Sequence, residues 1–292
     1  MKEIKRLNVS ELSEKFGLEA ESKSFVFKPQ DVAPNKYFEP HRSDMYSLGI
    51  VIKGEAKLRV GLETYVVNAP GLVAVSPDQI RQWMVTNENF ETISLFYAED
   101  FVVAGLLDTL FVKKLQFLKK GRNSFIPLTN AGFAALKNIF DQIEKKASSN
   151  YSNKVESTQA LIRVLLLEVE GLQEIRTIKD LNKYSQPYFI TQKFKELLAE
   201  HFAENRAVSY YAEKLFVTAK HLSQTLKEQT GKTANEMINE IVCLEAKVLL
   251  QTEELNISSV SERLNFVNPS FFGKFFKRNT GMSPNQYRKT LS

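Results

Sequence analysis

The chain has 292 residues, of which 39 are lysine or arginine and 34 are aspartate or glutamate, so its formal net charge is +5. Hydrophobic residues make up 43% and aromatic residues 11%, a composition that excludes a disordered, collagen-like or disulfide-stapled chain. This length suits about two domains. The single cysteine, Cys243, cannot form an intramolecular disulfide, which favours a reducing cytoplasm.

The chain shows no sign of export or of a membrane span. Its first 22 residues mix both charge signs and lack the apolar run of a signal peptide. Nowhere do 18 uncharged apolar residues follow one another, so no membrane-spanning helix is predicted. We therefore expect a cytoplasmic protein without a membrane partner.

The segment from Ser24 to Tyr97 is predicted to form short strands separated by turns. Glycine, proline, asparagine and aspartate stand between the apolar runs, and these residues favour the backbone angles of tight turns. The predicted strands are 24–28, 44–53, 56–60, 64–67, 72–76, 81–85 and 91–97. Strands so short and closely spaced are typical of a β-sandwich or barrel.

After Asp100 the apolar residues recur at every third and fourth position, which predicts helices over 101–120, 131–146 and 154–175. The last of these has a broad apolar face. Packing within its own domain and pairing with a second chain both remain open, and the candidate dimerisation residues are Leu161, Val164, Leu165 and Leu172. The polar segment 179–191, which contains Pro187, is predicted to be a linker.

A weak internal repeat relates residues 209–231 to residues 258–281. The first parts of the two copies match at an offset of 49, and the parts after the turn match at 50. Each copy has a small residue in a short helix, a turn, an N-cap residue (Thr218 or Asn268) and a second helix that stops at a glycine. This order predicts two helix-turn-helix motifs.

Residues 233–252 between the copies are predicted to form one helix. Twenty residues at 1.5 Å each span about 30 Å, close to the roughly 34 Å of one turn of DNA. Two recognition helices held in this way are suited to successive major grooves. Within the linking helix, Cys243 is expected to be buried as a small apolar side chain.

These motifs resemble the AraC/XylS family of bacterial transcription regulators. The resemblance covers the last hundred residues, including GMSPNQYRK (281–289), which is similar to the end of the family's second motif. It implies an α+β multidomain chain. By this resemblance we expect an N-terminal cupin-like β-barrel (1–100) that senses an effector, following helices (101–178) that dimerise, and an all-α domain (192–292) with two helix-turn-helix motifs joined by a linker helix.

The implied partners are double-stranded DNA, a second copy of the chain, a small-molecule effector and, for an activator, RNA polymerase. By position on the recognition helices, the base-contact candidates are Lys220, Ser223, Gln224, Ser270 and Lys274. The phosphate-contact candidates are Lys227, Lys277, Arg278 and Arg288. An ordinary solvated surface charge is the competing interpretation of each basic residue. Many family members have arginine where this chain has Gln224.

Alternating side chains of the predicted barrel suggest an apolar effector pocket, with Tyr46, Leu48, Ile50 and Trp83 as its candidate lining. The competing interpretation is that these side chains fill the core of a small barrel.

No catalytic or metal site and no cofactor are predicted. Only one histidine, His41, lies in the barrel segment. Together with Glu39 and Asp44 it provides too few suitable ligands for a transition-metal site. The alternative functions are a metal-dependent cupin enzyme fused to a helical regulatory domain and an architectural protein that uses the repeats as a scaffold.

Overall fold

The computed structural model describes residues 25–32, 40–86, 89–180, 186–252 and 254–291. They form two compact units, and the chain divides between residues 182 and 183. This division falls inside the segment 179–191 that the sequence predicts as a linker. Positions 181–185 of that segment lie outside the described residues, as do Glu39 and the first 24 residues of the predicted barrel.

The N-terminal unit is built on two antiparallel β-sheets. The larger sheet has the strand order β1-β7-β2-β5-β8 and the smaller has the order β4-β3-β6. The sheets confirm the predicted β domain, with shifts at the strand ends. The strands are β1 (Phe25–Val32), β2 (Tyr46–Lys53), β3 (Glu55–Val60), β4 (Glu63–Asn68), β5 (Gly71–Val75), β6 (Arg81–Thr86), β7 (Glu91–Tyr97) and β8 (Phe125–Pro127).

Strand β8 comes from the segment predicted to be helical. It pairs with β5 at the sheet edge, where Gly71 lies opposite Pro127. The ring of Phe125 lies so close to Gly71 that a Cβ atom there would overlap it. A glycine is therefore needed for this strand to dock, and the sheet is not complete by residue 100.

The helices of this unit are α1 (Glu99–Val103), α2 (Phe111–Lys114), α3 (Asn130–Ala147) and α4 (Lys154–Asp180), with a 3₁₀ turn at Gln116–Leu118. The prediction of one helix over 101–120 is wrong. Gly105 has a φ of +73°, a left-handed conformation that follows the end of α1. The Asp108 carboxylate then accepts a hydrogen bond from the Leu110 N–H at 3.2 Å, which favours a turn.

The larger sheet buries both of its faces. One face packs against α3 and α4, as Leu48 and Ile50 of β2 share a core with Phe140 and Leu165. The other face packs against the smaller sheet, where Val51, Val73 and Val75 meet Leu58 and Val67. The helices thus cover the outer face of the larger sheet, and the space between the sheets is a separate core.

The C-terminal unit is all helical. Its elements are α5 (Gln186–His201), α6 (Val208–Lys214), α7 (Ala219–Thr230), α8 (Ala234–Leu250), α9 (Ile257–Arg263), α10 (Pro269–Thr280) and α11 (Pro284–Lys289). Helix α5 begins inside the predicted linker and belongs to this unit, since Phe194 and Leu198 are fully buried and Phe194 contacts Tyr211 edge-on at 5.3 Å.

Candidate nucleic-acid interface

Helices α6 and α7 form the first helix-turn-helix motif. The Thr218 hydroxyl accepts a hydrogen bond from the His221 N–H at 3.1 Å, so Thr218 is the N-cap of α7 as predicted. The helix ends at Gly231, whose φ of +76° is left-handed. Leu222 and Leu226 are completely buried. Because these two residues lie one turn apart, the opposite face of α7 is turned to solvent.

Helices α9 and α10 repeat this construction. Asn268 caps α10 by accepting from the Phe271 N–H at 3.0 Å, and Gly281 ends the helix with a φ of +82°. Phe272 and Phe276 are buried where the first motif has leucines. The turns also agree, since Phe216 and Asn265, 49 residues apart, both have a positive φ.

The repeat extends beyond the glycines into a third helix. Thr233 and Ser283 each begin the following helix with a capping box. In the first copy, the Thr233 N–H and hydroxyl both donate to the Glu236 carboxylate, and these hydrogen bonds lower its pKa. Each structural repeat is therefore a three-helix unit, and α8 starts as the third helix of the first copy.

Helix α8 joins the two motifs through its buried side chains. It has 17 residues, so it is about 26 Å long. This is somewhat shorter than the helix predicted over residues 233–252. Ala246, Leu249 and Leu250 belong to the core of the second motif. Met237, near the other end, accepts a weak hydrogen bond from Thr230 of the first. The motifs are thus held by a common buried helix.

The second motif also contacts the loop that precedes the first motif. The Asn265 amide donates to the Ala203 carbonyl oxygen at 2.9 Å. The Arg206 guanidinium lies 4.0 Å from the centre of the Phe266 ring, a cation–π contact. Burial lowers the pKa of this guanidinium. The turn of the second motif is therefore fixed against the loop that precedes the first.

The outward faces of α7 and α10 carry the side chains that the sequence assigned to DNA. Ser223 is partly exposed on these helices, and seven other predicted residues are exposed. These seven are Lys220, Gln224, Lys227, Ser270, Lys274, Lys277 and Arg278. Gly273 leaves an open space on α10, since a Cβ atom there would meet nothing within 4 Å. The structure thus places these residues on the outward faces of the two recognition helices.

The sequence reasoning did not single out two exposed side chains on the same faces. Phe271 is 59% exposed on α10, and Glu228 is exposed on α7 and bonded to Gln224. The signal for Glu228 was present in the sequence, because residues four apart on a helix are neighbours.

Arg288 differs from the other candidates. Its guanidinium donates to the carbonyl oxygens of Leu250 at 3.1 Å and Leu255 at 2.5 Å. These atoms lie at the end of α8 and in the loop after it. The structure therefore gives Arg288 an internal role that ties α11 to α8.

The predicted effector pocket is wrong in its lining. Tyr46, Leu48 and Ile50 face the helices, in the core shared with α3 and α4, whereas Trp83 packs between the two sheets. Alternation along β2 turns Ser47 and Gly49 inward instead. The Arg81 guanidinium donates to the Ser47 hydroxyl at 2.6 Å. The interior between the sheets therefore has an apolar part near Trp83 and a polar part near Ser47.

Two family models match the chain. Residues 30–166 match the AraC-like ligand binding domain, and residues 211–290 match the helix-turn-helix domain. The chain belongs to the AraC family. The two matched ranges correspond to the β-sandwich with its helices and to the two motifs with α8.

Individual proteins are also similar to this AraC-family chain. The transcriptional activator RhaR of Escherichia coli is 26% identical over 161 residues, which are 55% of this chain and 56% of RhaR. The chain spans about half the length of the curated relatives it matches. ToxT of Vibrio cholerae O395 is 18% identical with a TM-score of 0.40, over 93% of this chain and 99% of that one. The C-terminal domain of AraT, a response regulator from Geobacillus stearothermophilus, is 30% identical with a TM-score of 0.34, over 36% and 88%.

In the AraC-family chain, α4 has apolar residues on two sides. Leu165 is completely buried, and Leu161 and Leu172 pack against the same core, so three of the four predicted dimerisation residues face their own unit. Val164 is 45% exposed and Leu167 is 55% exposed. Together with Ala160 and Gly171 they form a solvent-facing row with spacings of four, three and four, which we call the α4 seam.

Neither matched model describes an enzyme. In the described parts of the chain, no group of three or more His, Cys, Asp or Glu side chains is placed to hold a metal ion. The backbone of His41 pairs with that of Arg81 in a β-bridge. Among the helices that the structure describes, none has the length and apolar character needed to cross a bilayer.

Proposed function

We propose that this chain is a sequence-specific DNA-binding regulator of transcription that acts in the cytoplasm as an activator. One observation carries the proposal: two helix-turn-helix motifs with the same caps and glycine stops share the buried helix α8, and each leaves a polar or basic face exposed. RhaR is a transcriptional activator. The similarity of this chain to RhaR favours activation, and an activator is expected to contact RNA polymerase.

The two outward faces have complementary roles in this proposal. Side chains at the centre of each face read base edges, and basic side chains at the periphery bind phosphates and set the register. The base-reading residues are Lys220, Ser223, Gln224, Ser270 and Lys274. The phosphate-binding residues are Lys227, Lys277 and Arg278.

The N-terminal unit supplies control. We place a small-molecule effector between the two sheets, where the Arg81–Ser47 hydrogen bond and Trp83 mark a polar and an apolar end. Two chains pair through the α4 seam. An effector that binds one arrangement of the dimer better than another shifts the population of the form that binds DNA.

The experiment is a binding titration with DNA selected from a random pool, compared with a scrambled duplex, from 50 to 200 mM salt. Lys277→Ala is expected to weaken binding to both duplexes and to reduce the salt slope by about one. Lys274→Ala is expected to cost about 1–3 kcal/mol on the selected duplex alone. Lys119→Ala, an exposed lysine of the N-terminal unit, is the control.

The same titration separates sequence-specific regulation from the architectural alternative. Equal affinity for the two duplexes would contradict sequence-specific binding. If Gln224→Ala and Lys274→Ala leave DNA binding unchanged, the architectural scaffold is the better account.

A further inference from the structure

The first recognition helix carries a bonded pair of polar side chains on its outward face. The Gln224 Nε2 donates to the Glu228 Oε1 at 3.0 Å, and both residues are exposed. An ionised carboxylate only accepts hydrogen bonds. The bond therefore fixes the orientation of the Gln224 amide, with its nitrogen toward Glu228.

The second recognition helix has no such pair. At an offset of 50 residues, Lys274 stands for Gln224 and Arg278 stands for Glu228. The outward face of α10 is thus wholly basic at these positions, whereas α7 places a carboxylate on a face that meets a polyanion in our proposal. A carboxylate there opposes binding by charge, whereas its hydrogen bond to Gln224 gives it a way to influence recognition.

The fixed amide has a defined hydrogen-bonding capacity. One N–H is held by Glu228, which leaves one N–H donor and the Oε1 acceptor for a base. Adenine presents one acceptor, N7, and one donor, the N6 amino group, in the major groove, whereas guanine presents two acceptors, N7 and O6. The remaining edge of the amide therefore matches adenine and not guanine.

We infer that Glu228 is a positioning residue that sets the base specificity of the first recognition helix by holding Gln224 in the orientation that pairs with adenine. The inference rests on the proposed function, since it requires α7 to enter the major groove. Glu228 would then help to determine the base specificity of the site although it contacts no base itself.

The test is the sequencing of DNA bound from a random pool by the full chain and its variants. For the wild type we expect adenine at one position that loses its preference in Gln224→Ala. In Glu228→Gln the side chain keeps its shape but can donate as well as accept, so the amide of Gln224 is no longer fixed. We expect the adenine preference at that position to fall at least about threefold and guanine to enter, because a freed amide donates to guanine acceptors.

Two comparisons separate this role from a structural one. Glu228→Gln is expected to bind random DNA at least as well as the wild type, since a negative charge is removed. In the Gln224→Ala background, Glu228→Gln should leave the base preferences as they are, because the pair is already broken. Glu213→Gln, on the exposed side of α6, removes the same charge away from α7 and should match the wild type.

Unchanged adenine preference in Glu228→Gln would overturn the inference, as would a uniform loss of affinity for all sequences. If the wild type selects a sequence in which no adenine preference is lost in Gln224→Ala, that result would overturn the inference and leave the proposed function standing. A wild type that selects no sequence at all would remove the proposed function and this inference with it.

Discussion

Arg288 lies in a basic stretch of sequence and yet has its partners inside the protein. The sequence assigned it to a phosphate because arginine near a recognition helix is typical of such contacts. Its guanidinium instead satisfies carbonyl oxygens of Leu250 and Leu255. Sequence could not separate the two roles, because the carbonyls lie more than thirty residues upstream and meet Arg288 only in the folded unit.

Arg288→Ala is therefore expected to destabilise the C-terminal unit by about 1.5–3 kcal/mol, the range for hydrogen bonds to charged groups. Urea unfolding of the full chain, followed by a probe of helicity, measures this change. Its exposed neighbour provides the control variant Lys289→Ala. A variant with wild-type stability and a salt slope for DNA binding reduced by about one would show that Arg288 binds phosphate after all.

Cys243 gives a second prediction at this scale. It is 7% exposed in α8, and burial raises the pKa of its thiol to about 11. A raised folded-state pKa stabilises the protein below the unfolded value near 9 and loses that contribution as the pH rises toward 11. At pH 8 the thiol is protonated, so we expect a thiol-specific reagent to label Cys243 only after denaturation. Rapid labelling of the native protein would contradict this burial.

Strand alternation illustrates what residue patterns can and cannot predict. The pattern in β2 correctly places Leu48 and Ile50 on one face, because the period of two is local. It does not say which face turns toward the second sheet. Both faces are buried, one by helices and one by strands, so the pocket prediction grouped Trp83 with residues on the opposite side.

At the scale of elements, helix ends were the most predictable feature of the molecule. Thr218 and Asn268 begin their helices and Gly231 and Gly281 end theirs as expected, because capping depends on residues within one turn. Strand β8 was not predictable in this way. Its three residues pair with Gly71, Leu72 and Val73 of β5, which lie more than fifty positions upstream.

Helix α4 carries the prediction for assembly. Its seam repeats at the three-and-four spacing by which helices pair, and Gly171 leaves open space for a close approach. We expect Val164→Glu combined with Leu167→Glu to convert a dimer to a monomer with little loss of monomer stability, since both side chains are exposed.

Sedimentation velocity on the full chain measures this change. Val66→Glu, at an exposed apolar position of β4, is the control and should remain dimeric. A double variant that keeps the dimer mass would place the interface elsewhere.

At the scale of the whole molecule, the two family matches agree with the two compact units: the match to the AraC-like ligand binding domain lies in the N-terminal unit, and the match to the helix-turn-helix domain lies in the C-terminal unit. Within the C-terminal unit, the repeat could be predicted because matching residues recur at a nearly constant offset of about fifty positions in the sequence. The contact of Arg206 with Phe266, which fixes the second motif against the loop before the first, could not be predicted, because it pairs residues sixty positions apart.

The central claim is that both motifs engage one stretch of duplex at once. Hydroxyl-radical footprinting of the full chain on its selected DNA tests this most directly. We predict two protected stretches of backbone on one face of the duplex, about 10 base pairs apart, where the two recognition helices enter adjacent major grooves, and an affinity that falls steeply as salt increases. Protection of a single groove, or an equal footprint on scrambled DNA, would contradict it.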